Sequence, residues 1–491
     1  MEMTKNRQYM TRGLGAFALM AMSLVSQAEV KMPAFFSDNM VIQRNTDAKM
    51  WGEATPGSTV TVSPGWTGDT YKVKCGKDGK WRISFPTPDA GGPYSVTVSD
   101  GTPVTLNNVM LGEVWLCSGQ SNMEMPMKGF KNQPVDGANM AILESRNPDL
   151  RLFTVKRNSS TIPVDDVTGS WSEASPESVR NFSATAYFFG RRIEDYLDVP
   201  VGLIVVAWGG SACEAWMNDE MLAAFPEAAA NIPAVDGEIK SKNRTPSVLF
   251  KGMLNPFIGL PMRGVIWYQG EDNWNRAHTY TDMFSTMIKG WRDLWGQGEF
   301  PFYYCQIAPY DYSIITEPGK EIINSAYLRE AQARVENLVP NTGMAVLMDA
   351  GWAGGIHPSN KRTPGERLAL LALGKTYGVK GIGYESPVYK SMEVKGDTVI
   401  VSFDRAPEWI AGKHSFESNQ FQLAGADRVF YPAKAWISRS KVMVKSDKVP
   451  YPVAVRYAFE NASEGDLFST DGLPVSSFRS DDWPDDRPIK K

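Results

Sequence analysis

Histidine is scarce in this sequence. The 491 residues hold three, His278, His357 and His414, so the search for an imidazole base is short. Cysteine is scarce as well. Cys75, Cys117, Cys213 and Cys305 are spaced too widely for a CxxC-type zinc motif. Four cysteines allow three disulfide pairings and the sequence selects none, while Cys117 and Cys305 each end an apolar run (VWLC, FYYC) and read as buried thiols. Positive charge is not in excess: the net charge is -4 and the pI about 5.7, which argues against nucleic-acid binding and against a polybasic membrane surface. No stretch reaches the roughly 18 uninterrupted apolar residues of a membrane-spanning helix. Internal repeats and low-complexity segments are lacking too.

The start of the chain reads as an export signal, residues 1–28. Lys5, Arg7 and Arg12 precede an apolar run from Gly13 to Val25, and Ser26-Gln27-Ala28 supplies small residues for cleavage. The mature protein is then expected outside the cytoplasm, periplasmic or secreted. Residues 29–108 alternate apolar and polar positions, as in Thr59-Val60-Thr61-Val62, with turn residues about every ten positions. That pattern predicts a small antiparallel β domain.

From 109 to 381 the pattern changes to continuous apolar runs separated by amphipathic stretches. The runs Glu113–Cys117, Val201–Ala207, Gly264–Tyr268, Phe302–Ile307 and Met344–Met348 suit parallel strands buried on both faces. The stretches Ala184–Leu197, Asp282–Leu294 and Ser325–Asn337 suit helices, so this part is expected to be an α/β sheet. Residues 382–484 return to strand alternation, and 485–491 read as a loosely packed tail.

Four segments could carry chemistry. In Val114–Glu124 a strand ends at Gly119 and Ser121 follows at the start of a helical turn. Ser121 Oγ is then exposed, and its N–H lacks a helical partner. In Val205–Ser211, Gly209 and Gly210 let backbone approach a ligand closely. In Gly264–Asn273 a strand leads to Gln269, Glu271 and Asn273; Asn273 can offer an N–H to a developing oxyanion, and Gln269 and Glu271 can fix the loop or contact substrate. The fourth, Gly354-Gly355-Ile356-His357-Pro358, sets His357 in a glycine-rich loop before a helix expected over Thr363–Tyr377. A serine nucleophile needs a base of this type, and of the three histidines His357 is best placed. The competing structural readings are a helix cap for Ser121, a tight turn for the glycines and an Asx-turn for Asn273.

Taken in order, Gly119-Gln120-Ser121-Asn122-Met123-Glu124, Ala207-Trp208-Gly209-Gly210, Trp267–Asn273 and Ile356-His357-Pro358 resemble the sialate O-acetylesterase family of the SGNH hydrolase superfamily and its acetylxylan-esterase relatives. Asn39–Arg44 near the start and Gly472–Arg479 near the end fit the same family, so the resemblance covers essentially the whole mature chain. It implies an SGNH-type three-layer α/β/α (flavodoxin-like) catalytic domain flanked by N- and C-terminal β-sandwich-like regions. It also implies hydrolysis of O-acetyl esters on sugars without metal or organic cofactor, with an acetylated sugar or glycan as the partner and neither nucleic acid nor membrane. Carried over by position, Ser121 is the nucleophile, His357 the base, and Gly210 and Asn273 complete the oxyanion hole with the Ser121 N–H.

One departure stands out. The superfamily usually has Asp two or three residues before the histidine, where this chain has Gly355 and Gly354. Either Asp349 reaches back as a third member, or a backbone carbonyl orients a Ser–His dyad. Arg276 and Arg362 are the candidates for a sialate carboxylate. A deacetylase of plant polysaccharide (xylan or pectin) and a non-catalytic carbohydrate-binding protein are the alternative readings. The 11% aromatic content, with 15 Trp, suits cores and sugar stacking alike.

Overall fold

The computed structural model describes residues 30–406 and 408–484. The segment read as an export signal and the tail from 485 lie outside the described residues. The centre of the molecule is a seven-strand path within a larger sheet. Its strands are β1 (Pro103–Gly119), β2 (Asn147–Thr154), β3 (Trp171–Ala174), β4 (Val201–Ala207), β5 (Gly264–Tyr268), β6 (Phe302–Cys305) and β7 (Thr342–Ala345). Their spatial order is β7-β6-β5-β1-β4-β2-β3, and every pairing is parallel except the antiparallel edge pair β2 and β3.

The apolar runs behave as doubly buried strands should. Along β1, Val114 and Leu116 join one apolar cluster while Trp115 and Cys117 join another. The first cluster includes Phe284, Met287 and Ile288 of α3 (Ala277–Trp295) and Leu328 and Val335 of α4 (Ala326–Leu338). The second includes Ala184, Phe188 and Phe189 of α2 (Ala184–Leu197) and Leu368 and Leu371 of α5 (Arg362–Leu371). The helix α2 starts where expected, with the Ser183 side chain capping the Ala186 N–H. The run expected over 344–348 is shifted: the strand is Thr342–Ala345, and the following residues leave the sheet as a buried loop.

The boundary expected at 108–109 is not a break. Strand β1 crosses it as one 17-residue strand. Its first half pairs antiparallel with Gly91–Ser99 and its second half lies parallel to β4 and β5. A separate two-stranded pair, Asp47–Glu53 with Lys80–Pro86, completes the N-terminal β region. The C-terminal region is a seven-stranded antiparallel sheet with a small two-stranded companion. It is fastened to the α/β part by Arg329, which is wholly buried and donates to the carbonyls of Ala458 and Glu460 and to Ser477 Oγ. All four cysteines are buried and free, in line with the thiol reading.

A buried carboxylate pins β1 from below. Glu113 accepts from Arg44 Nε, from Arg263 Nε and Nη2, and from the Tyr377 hydroxyl. Burial opposes its charge, but the two guanidinium groups outweigh that and hold its carboxyl below the ordinary range. Its contribution is therefore present at neutral pH and fades as pH falls through the acid range. Glu113→Gln should lower folding stability by about 3 kcal/mol at pH 7, read by urea denaturation, with a smaller difference at acid pH.

Candidate active site

The site forms beyond the carboxyl ends of the three central strands, where an open parallel sheet places ligands. Register makes the loops converge. Gly119 at the end of β1 is level with Ala207 of β4 on one side and Tyr268 of β5 on the other. Gly119 has φ +137, and a Cβ there would come within 2.7 Å of the Tyr268 carbonyl carbon, so no other residue fits. The chain turns into α1 (Ser121–Glu124), a single helical turn that begins at Ser121.

Gln120 binds the third loop to the first: its Oε1 accepts from the N–H groups of Gly270 and Asp272 at 3.2 and 3.3 Å. Glu124 does the same for the second loop. It accepts the Gly209 N–H at 2.7 Å while Arg157 grips its carboxylate through Nε and Nη2 at 2.6 Å each.

Ser121 and His357 meet. Ser121 Oγ lies 2.8 Å from His357 Nε2, although 236 positions separate the residues. On the far side of the ring, His357 Nδ1 lies 2.8 Å from Gln133 Oε1. A carboxamide oxygen can only accept, so Nδ1 carries the proton. Nε2 is then the lone-pair nitrogen, and it faces the Ser121 hydroxyl. Phe130 stands edge-on to the ring at 5.4 Å.

Asp349 does not complete a triad. Its carboxylate is held bidentate by Arg367 Nη1 and Nη2 at 2.6 and 2.7 Å. The backbone-carbonyl alternative is also set aside, because the orienting group is the Gln133 side chain.

Beneath the pair lies a layer of buried polar groups, Asn122, Glu271 and Lys361, of which the sequence pointed to Glu271 alone. Asn122 Nδ2 donates to Glu271 Oε1 and to the Ile356 carbonyl at 3.1 Å. This carboxamide therefore joins the residue after Ser121 to the residue before His357. Its Oδ1 accepts from the Lys361 ammonium, which is 1% exposed. Burial pulls Lys361 down to about 7 against the attraction of Glu271. Burial raises the Glu271 carboxyl, with Asn122 and Lys361 opposing, and Glu271 Oε2 has no hydrogen-bond partner among the described residues. Burial, helped by the Lys361 charge, brings His357 down to about 4.

The expected oxyanion donors divide. Gly210 has φ +67 and lines the pocket, and its N–H has no partner among the described residues, nor has that of Ser121. Asn273 is 1% exposed and is not part of the pocket wall. Its Nδ2 donates to Glu214 Oε2 at 2.9 Å, and its Oδ1 accepts from Gln269 and the Cys213 N–H. The side chain is turned into the protein, where it braces the loop. Gln269 likewise is fully buried, bound to Ser211, Asn273 and Tyr280, so of its two expected roles only loop fixing fits. Glu271 does line the pocket.

The pocket encloses about 380 Å³ between Ser121, His357, Gly209, Gly210, Trp274 and Ile315. Arg244 and Asp272 form its edge and also line a neighbouring groove of about 960 Å³. Arg276 lines that groove, paired to Glu214, and Arg362 stacks over Phe188 beside Glu366; neither enters the pocket. His278 lines the groove and His414 lies in the C-terminal region. No group of three or more His, Cys, Asp or Glu among the described residues could hold a metal ion.

The site sets one hydroxyl against one imidazole in a pocket at the end of a parallel sheet, and comparison with known proteins names the family. A profile described as carbohydrate esterase, sialic acid-specific acetylesterase, matches residues 111–369. The sialate O-acetylesterase of Rattus norvegicus is 30% identical over 80% of this chain and 83% of its own length. That of Homo sapiens is 30% identical over 74% of each. The crystal structure of a carbohydrate acetylesterase from Xanthomonas citri superposes with a TM-score of 0.83 at 34% identity, covering 92% of this chain and 100% of that one. The chain belongs to the sialic acid-specific acetylesterase family of carbohydrate esterases. It is a carbohydrate O-acetylesterase, a carboxylic ester hydrolase.

Because the imidazole is held neutral down to about pH 4, kcat/KM should remain near its plateau to well below the ordinary histidine range and fall only near pH 4. A profile of acetate release against pH measures this. Gln133→Glu places an anion beside Nδ1, stabilises the imidazolium and should move that acid limb to higher pH. Asp349→Asn should lower thermal stability and leave the limb where it is.

Proposed function

We propose that this chain removes O-acetyl groups from sialic acid by acyl transfer through Ser121. The observation that carries the reading is the 2.8 Å contact of Ser121 Oγ with His357 Nε2, in a pocket where two backbone N–H groups are unpartnered. Ser121 attacks the acetyl carbonyl while His357 takes its proton. The negative oxygen is received by the N–H groups of Ser121 and Gly210. His357 then protonates the departing sugar oxygen. Water repeats the sequence on the acetyl-enzyme, releasing acetate and restoring the serine.

Within this scheme Gln133 fixes the tautomer, and Asn122 with Glu271 and Lys361 fixes the two loops relative to each other. Asn273 acts through the loop and not as an oxyanion donor. The α/β/α arrangement of the SGNH superfamily is part of the same reading; the two apolar clusters divided by the central sheet support it.

Sialic acid differs from neutral sugars by its carboxylate. Arg244 suits that group. It gives only Nε to Asp272, at 2.7 Å, so its terminal amines are available for a bidentate grip. It stands at the pocket edge, with Nη2 about 4.0 Å from where a Gly210 Cβ would be. The basic start, apolar run and small residues at 26–28 support export to the periplasm or the medium. Among the described residues no helix is long and apolar enough to cross a membrane.

The test is acetate release from O-acetylated sialic acids, acetylated xylan and acetylated pectin fragments. Sialic acid esters should be preferred, and Ser121→Ala or His357→Ala should reduce turnover by about 10⁴ or more. Arg244→Met should raise KM for the sialic acid esters about tenfold with a smaller effect on the acetylated xylan. Retention of most acetate release by folded Ser121→Ala would refute the nucleophile assignment. A preference for xylan or pectin would refute the substrate.

A further inference from the structure

The glycines that stand where the superfamily usually has an acid are occupied by something else. The Trp352 ring lies across both. A Cβ added at Gly354 would come within 2.8 Å of ring atom Cζ2, and one at Gly355 within 2.5 Å of Cζ3. An aspartate at either position has no room while the indole is there. Yet the ring is not there to fill a core. Trp352 is 62% exposed, whereas Trp115, Trp216, Trp267 and Trp291 are wholly buried. Leaving this much indole open to water forgoes its burial free energy, and its position five residues before His357 puts it on the loop that carries the base.

That loop is firmly seated. Gly351 is pressed against Pro309, the Trp352 carbonyl accepts the Gly355 N–H at 3.1 Å, and the Ala353 carbonyl accepts the Asp311 N–H at 3.0 Å. The last contact joins it to the turn that carries Ile315, a wall residue of the pocket, and Tyr312, on which the pocket residue Trp274 stacks at 4.5 Å. Trp274 and Ile315 stand in the pocket wall, Ile314 next to Ile315 is 58% exposed, and Trp352 is carried by the loop that leads to His357.

We propose that Trp352 is a stacking platform for a pyranose ring of the leaving alcohol, and that Gly354 and Gly355 are glycine because they seat it. The inference rests on the esterase reading above and adds a binding subsite to it. A pyranose presents a flat face of C–H groups ringed by hydroxyls. An exposed indole on the loop that leads to His357 can cover that face while the hydroxyls remain in water. The occupant is the substrate's own sugar, because the loop that bears the platform also bears His357 and is bonded, through the Ala353 carbonyl and the Asp311 N–H, to the turn that carries the pocket residue Ile315. The orienting acid and the platform exclude each other sterically, so holding His357 falls to Gln133, which approaches Nδ1 from a different loop.

The test uses the full chain and two substrates that share the acetyl group: an O-acetylated sialic acid methyl glycoside, and ethyl acetate, whose alcohol has no ring. In Trp352→Ala the ratio of kcat/KM for the sugar ester to that for ethyl acetate should fall about tenfold, mainly through KM. Trp352→Phe should restore most of it. If Trp352 only held the histidine loop, kcat would fall equally on both substrates and the ratio would stay constant; that result overturns the inference and leaves the esterase reading intact. An unchanged KM for the sugar ester in Trp352→Ala overturns it as well. If the wild-type chain cleaves ethyl acetate but not the sugar ester, the functional reading fails and takes this inference with it.

Discussion

The site depends on one alignment. Three neighbouring parallel strands end at the same level, with Gly119 between Ala207 and Tyr268. Parallel pairing fixes strand ends relative to each other far more tightly than loops could, and the loops that leave these ends have little distance to cover. Gln120 and Glu124 then tie the second and third loops to the first through hydrogen bonds to backbone N–H groups. Ser121 therefore sits at the point where the rigid sheet hands over to three short, mutually braced turns. His357 comes from a fourth loop, and the Asn122 carboxamide holds that loop to the serine turn.

Electrostatically the site is unlike one built around a buried aspartate. A neutral carboxamide at Nδ1 sets the tautomer and gives the ring its direction, but it adds no negative charge when the imidazole is protonated. The charge that acts on the ring is that of Lys361, which disfavours the imidazolium, and Glu271 stands on the other side of Asn122 from it. The His357 ring is thereby kept neutral into acid surroundings, with less help in holding a proton.

Much of this was readable from the residues in order. The strand runs at 201–207 and 264–268 have the bounds the hydrophobicity gives, because a doubly buried strand must be apolar throughout and its neighbours must not be. Ser121 and His357 were legible for different reasons: one follows a strand that ends in glycine, the other is one of three histidines. The misreadings share a cause. Asn273 and Gln269 are of the right types and in the right loop, but whether a side chain at a strand end turns toward the pocket or the core is decided by Glu214, Tyr280 and Ser211, which arrive from elsewhere in the chain. Gln133 could not be found, since a polar residue in a proline-containing loop carries no periodicity. The 108–109 boundary was drawn at a change of pattern, and the pattern does change there. What changes is the number of faces covered, on a strand that does not stop.

That uninterrupted strand has a consequence for how the protein holds together. A module that begins with its own strand can be lost, exchanged or unfolded alone; one whose first strand is the second half of its neighbour's cannot. Pulling the N-terminal β region apart would strip the edge from Pro103–Leu111 and leave the same backbone, a few residues on, holding the serine turn. The two regions should melt in a single cooperative step, and damage far from the pocket, at the hairpin end of Gly91–Ser99, would be transmitted along one unbroken length of chain to the catalytic centre.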